Sequence, residues 1–267
     1  MRTKERIRPS FSEGKLNFTL PKSWAELNQM QLMQVFAWMI RLNADELKTR
    51  AFFSWAGIEV IDKEAGGYVC LTKSDKGPVE FTLELWQVAE FVQQLDWLAE
   101  TPMAPVRLER IDGCKAVDAK LIGVPFGQWL QLDNYYQGYL SRHDPARTEP
   151  LRRAAFLLYL DSDGDNPKSM RLTEAELLSV FYWILAVKNL FRQQFPHFFR
   201  PVEGGVEQST QMELMNAQIR ALTGGDVTKE QRVLDLDVWR ALTELDAKAR
   251  EAQELQRQLS KQKKSKH

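Results

Sequence analysis

Residues 177 to 187, LLSVFYWILAV, are the longest apolar run in the chain. A bilayer span needs roughly 20 such residues, so this run is too short to cross a membrane. It continues through KNLFRQQFPHFF to residue 199, with Phe181, Ile184, Leu185, Val187 and Phe191 distributed around a helix rather than along one face. Such a helix has no side that water can cover, and neighbours must enclose it on several sides. The aromatics that follow it, Phe195, Phe198 and Phe199 with His197 among them, are expected to pack down on the same body. Large apolar patches are uncommon on the surfaces of monomers.

The segments around this helix carry the same 3.6-residue periodicity. FGQWLQLDNYYQGYL, PLRRAAFLLYL and MELMNAQIRALT each present apolar residues at helical spacing, and strand signals fade after Phe126. Thr228 with Gln231 forms a capping pair that opens a last helix running to about residue 260. Its apolar stripe uses Val233, Leu234, Val238, Trp239, Leu242 and Leu245, beyond which large hydrophobes thin out and the helix is expected to project. Gly224-Gly225 reads as a hinge ahead of it.

The N-terminal half reads differently. KLNFTL alternates as a short strand does; Ser23 with Glu26 and Asn43 with Glu46 are capping boxes for two helices, the second ending at Gly57. IEVID, GYVCLT and VEFTL are β-branched or aromatic segments between turn signals, which predicts a small antiparallel sheet. TLELWQVAEFVQQLDWLAE returns to helix and stops before Pro102 and Pro105. VRLERIDG and AVDAKLIGV predict strands about the Asp112-Gly113 turn, a dipeptide that favours tight hairpins. The expected fold class is α+β, mainly α: a basic arm (1–14), an α+β domain (15–124), a helical domain (125–225) and a long C-terminal helix with a basic tail (226–267).

Charge and cysteine content narrow the function. Thirty-six Lys and Arg balance thirty-six Asp and Glu, so no net field draws the chain to nucleic acid or to a membrane. RTKERIR and KQKKSKH could neutralise phosphates, but no recognition fold accompanies them, and solubilising tails are the expectation. Cys70 and Cys114 are the only cysteines and lack metal-type spacing; together with a charged N-terminus that has no apolar h-region, they predict a cytoplasmic protein.

Asp161, Asp163 and Asp165 alternate as calcium-loop ligands do. From Asp161, however, the sixth position is Asn166 and the twelfth Leu172; from Asp163, the fifth is Pro167. Neither register supplies both the turn and the closing ligand that an EF-hand needs. A helix-connecting loop followed by a Thr173 and Glu176 capping box is the expectation, with no metal and no cofactor. Nucleophile-elbow, phosphate-loop, dinucleotide and zinc-protease signatures are absent from the sequence. His143 lies in a polar turn and His267 is terminal, so neither reads as catalytic.

MNAQIRALTGGDVTKEQRVLDLDVWRALTELDAKAREA (215–252), GVPFGQWLQLDNYYQGYL and LSVFYWILAVKNLFRQQFPHFF resemble a family from phages and prophages of gut Bacteroidetes, from about Leu20 to the end. Members tend to be encoded among tail-morphogenesis proteins. The resemblance implies a noncatalytic tail assembly protein in the host cytoplasm, a chaperone for the tape-measure protein or a partner of the tail tube protein. Val238, Trp239, Leu242 and Leu245 would be the partner-binding anchors, and removal of 226–267 would abolish capture. A structural tail component is the alternative, then a metal-dependent enzyme using Asp161, Asp163 and Asp165. No catalytic residue is assigned.

Overall fold

The computed structural model describes residues 18–74, 77–143, 148–200 and 211–264. The expected basic arm and the last residues of the basic tail lie outside them. The fold is α+β and mainly α, with a three-stranded antiparallel sheet in the N-terminal half and a long C-terminal helix. Two compact units divide between Glu100 and Thr101.

In the first unit Phe18 to Leu20 are irregular rather than a strand. Ser23 opens only a three-residue 3-10 turn, Trp24–Glu26, without a side-chain cap. The working capping box lies five residues later: Asn28 Oδ1 accepts from the Gln31 N–H at 2.9 Å, and Gln31 Oε1 accepts from the Asn28 N–H at 3.0 Å. It starts α1 (Gln29–Met39). Asn43 and Glu46 form the expected reciprocal box at the start of α2 (Ala44–Trp55), and Gly57 stops that helix with φ of 66°.

β1 (Ile58–Glu64), β2 (Gly67–Ser74) and β3 (Gly77–Glu84) form an antiparallel meander in which Cys70 faces both Val60 and Phe81. Ile58, Cys70, Phe81 and Leu83 are buried, while alternate residues such as Glu59, Glu80 and Glu84 are exposed. Along β3 this is the alternation of a sheet with one covered face, whereas β1 is buried only at Ile58. α3 (Leu85–Gln93) follows β3, and α2 and α3 pack against each other and against β1 and β3 respectively. Gly67 is fixed by crowding: a Cβ there would lie 2.2 Å from the Leu83 carbonyl oxygen.

In the second unit Asp112 and Gly113, with φ of 48° and 83°, turn β4 (Arg110–Ile111) into β5 (Cys114–Ala116). The strand expected to continue through AVDAKLIGV stops at Ala116. There the Asp118 carboxylate accepts from the N–H groups of Lys120 and Ile122, holding a turn in place of a ladder. β5 also pairs with β6 (Tyr159–Leu160), so the hairpin belongs to this unit and not to the α+β unit before it.

α4 (Phe126–Ser141), α5 (Glu149–Leu158), α6 (Glu174–Gln194), α7 (Gln211–Thr223), α8 (Glu230–Leu234) and α9 (Val238–Lys264) complete the unit. α6 starts at the expected Thr173 and Glu176 box. None of residues 181–191 is exposed, as a helix enclosed on several sides requires.

Gly67→Ala should cost at least about 1 kcal/mol of stability, since the obstructing atom is backbone and cannot rotate away. A lower urea midpoint with unchanged slope would show it, and wild-type stability would contradict the strand packing.

Candidate interaction surface

The expected single helix from Thr228 to about residue 260 is broken. Asp226 rather than Thr228 caps the first turn, its carboxylate accepting from the Thr228 N–H and hydroxyl at 3.0 and 2.6 Å. These bonds, with those of Lys229, hold the Asp226 carboxyl at about 2, below the usual carboxylate range. The chain then stops being helical at Asp235 to Asp237, where it is stitched to the segment ahead of α4.

Three bonds make the stitch. The Phe126 N–H donates to Leu236 O at 2.7 Å, the Val238 N–H donates to Val124 O at 2.9 Å, and the Gly123 N–H donates to Asp237 Oδ2 at 2.6 Å. The other carboxylate oxygen of Asp237 accepts from Trp239 and Arg240, capping α9. Gly127 lets this crossing come close, because a Cβ there would meet Leu234 at 3.2 Å.

This crossing turns the expected partner-binding stripe inward. Val238 and Leu242 have no exposure and Leu245 has 3%. Trp239 is half-buried, edge-on to Phe191 and Phe195 at 5.3 and 5.6 Å, and donates from Nε1 to Lys120 O at 2.8 Å. The four residues expected as anchors are therefore the seat of α9 in its own unit. Removing 226–267 would take this core away together with any binding surface.

The aromatic loop after α6 packs down, as expected. Phe195 is buried, and Asp246 on α9 accepts from the N–H groups of His197 and Phe198 at 2.8 and 2.9 Å. Gln253 donates to His197 O at 3.1 Å. Beyond Gln253 the helix leaves its support: residues 254–262 are all exposed, among them Leu255 at 58% and Leu259 at 51%. The projection expected of the distal helix thus begins at Glu254, with two leucines one turn apart on it.

In the Asp161 loop one carboxylate is engaged by the loop itself. Asp161 Oδ1 accepts from the N–H groups of Asp163 and Asp165 at 3.0 and 3.1 Å, and Gly164 turns the chain with φ of 85°. Among the described residues no three His, Cys, Asp or Glu side chains gather as a metal ion would require.

One polar cluster escaped the sequence reading. Lys188, 7% exposed, pairs with Asp133 of α4 inside the helical unit. Its Nζ lies 4.9 Å from the Tyr136 ring centre and 5.9 Å from that of Trp129. Asp133 Oδ2 also accepts from Gln211 Nε2 at 3.0 Å, which ties the first residue of α7 to the ion pair. Burial raises the Tyr136 hydroxyl above its ordinary value, so the ring serves here as a neutral wall. The available signal was a lysine inside YWILAVKNLF: an apolar helix tolerates such a charge only beside a partner.

Comparison with protein-family models, curated proteins and solved structures finds no match to the chain. Among the described residues no helix is long and apolar enough to cross a membrane.

Lys188→Met should cost about 1–3 kcal/mol by leaving the part-buried Asp133 without its counter-charge, whereas Lys188→Met with Asp133→Leu should recover at least half of that. Equal losses in single and double variants, by urea denaturation, would contradict a coupled buried pair.

Proposed function

We propose that the protein is a noncatalytic assembly factor that binds an apolar helical segment of another polypeptide, acting in phage tail morphogenesis on the tape-measure protein. The exposed distal part of α9 carries this reading. Leu255 and Leu259, spaced i and i+4 on a stretch exposed throughout residues 254–262, are the anchors a helix presents to a helical partner. Glu254, Arg257 and Lys261 flank them and keep the free helix in water. The tail context comes from the resemblance of residues 215–252 and of the α4 and α6 segments.

Such a protein would act by mass action. A long helical polypeptide made before its tube exposes apolar surface that aggregates, and reversible binding lowers the free concentration of that surface. The structural-component reading uses the same contact and differs only in whether the protein remains in the finished particle.

Ending the chain after Gln253, or making Leu255→Glu with Leu259→Glu, should abolish co-purification with the tape-measure protein while leaving the circular dichroism and melting of the body unchanged. Capture by both altered proteins would refute this placement. In purified particles the protein should be absent; a fixed copy number there would select the structural component instead.

A further inference from the structure

The outer face of the β1–β3 meander is acidic around an apolar centre. Strand pairing sets Glu59, Leu71 and Glu80 in one row, Asp62, Val69 and Thr82 in the next, and Glu64, Gly67 and Glu84 in a third. All three rows lie on the face opposite Cys70 and Phe81, since successive residues of a strand alternate sides. Val69 and Leu71 are half-buried along the middle strand, and the five carboxylates of the two outer strands are exposed. Glu84 accepts from the Trp86 indole, whereas among the described residues nothing engages the side chains of Glu59 and Glu80. Lys73, also exposed, is the one basic residue on this face among the described residues of the three strands.

Five like charges on one face repel one another, and Lys73 offsets them only in part. The complement occurs in the same chain. From Leu255 to the end of α9 every charged residue is basic: Arg257, Lys261, Lys263 and Lys264. The same stretch exposes Leu255 and Leu259. Dimensions agree as well. The two columns of carboxylates stand about 10 Å apart, two strand spacings, and the three rows cover about 14 Å along the strands. Ten residues of helix are about 15 Å long and, with side chains, about 10–12 Å across. Distal α9 therefore fits along the middle strand, with its leucines over Val69 and Leu71 and carboxylates on both sides of it.

We propose that the distal part of α9 in one copy of this chain docks on the outer sheet face of a second copy. The contact is heterologous: each copy offers one rod and one face, so association closes into a ring or continues as a short chain of copies. A patch of this size falls below the 1,200–2,000 Å² or so that stable interfaces bury, so the contact is weak and forms at high protein concentration. Salt opposes it, because the screening length falls from about 10 Å at 0.1 M to about 3 Å at 1 M. Self-association covers Leu255 and Leu259 and holds them until a tighter partner displaces the second copy. That regulatory meaning rests on the assembly reading; the contact itself does not.

The test is sedimentation equilibrium of the full chain at low and high salt. At low salt the average mass should rise with concentration, with a dissociation constant on the order of 0.1 mM, and 1 M NaCl should weaken association at least tenfold. Glu59→Lys with Glu80→Lys spoils the face, Leu255→Glu with Leu259→Glu spoils the rod, and each double variant should stay a single chain. Mixed together, they should form a one-to-one pair, because the rod of the first and the face of the second are intact. If circular dichroism shows either protein misfolded, Glu59→Gln with Glu80→Gln and Leu255→Ser with Leu259→Ser take their places. A wild-type chain that stays single to about 1 mM, undiminished association of either variant, or a mixture that does not pair would each overturn the proposal. The tape-measure protein is absent throughout, so capture of that protein by a chain that does not self-associate would sink this contact and leave the assembly reading standing. Self-association without capture would do the reverse.

Discussion

The crossing of Gly123 to Phe126 over Leu236 to Val238 is the constraint on which the helical unit depends. Two backbone bonds and one carboxylate join segments more than a hundred residues apart. They fix the start of α4 and the start of α9 at the same point. Because Asp237 both ties down Gly123 and caps α9, the helix can begin in one direction only. From there Val238, Leu242 and Leu245 meet the core, and Trp239 closes over Phe191 and Phe195. The helix becomes a free rod only after Asp246 and Gln253 have fastened the loop behind α6 to it.

The two units are stabilised by different means. The first is aromatic: Phe52 stacks on Phe91 at 4.9 Å, Phe18 stands edge-on to both, and a row of Trp38, Trp55, Trp97 and Trp24 adds four large side chains. Large rings give a small unit much apolar contact per residue. The second unit is built on α6, whose enclosed stretch 181–191 admits one charge, Lys188, with its partner on α4 and a tether to α7. α7 itself contributes little core, since Thr223 is its one buried residue, and Gly224 and Gly225 follow it in left-handed conformations. The ion pair therefore positions a helix that packing alone would hold weakly.

Cys70 is buried, and burial pushes its thiol up to about 11, far from the range of a reactive thiolate. The Asp161 carboxylate holds a turn, and Asp133 neutralises a buried ammonium. Leu255 and Leu259 on distal α9 are two of several exposed apolar side chains among the described residues, with Met212, Val227 and Trp86 among the others.

Local signals in the sequence determined local structure. The Asn43 and Thr173 boxes, the Gly57 stop, the Asp112-Gly113 turn, the meander and the enclosed α6 follow from backbone bonding and periodicity within a few residues. At Ser23 the local signal misled: SWAE has the spacing of a box, but the reciprocal bonds form at Asn28 and Gln31, where the full helix starts. Tertiary structure alone decided which apolar residues are core and which are surface. A stripe from Val233 to Leu245 looks the same whether its partner is another protein or α4 and the aromatic end of α6. Only the long-range bonds at Asp237 turn it inward and leave Leu255 and Leu259 outside, because burial depends on what crosses a helix and periodicity records only that something must.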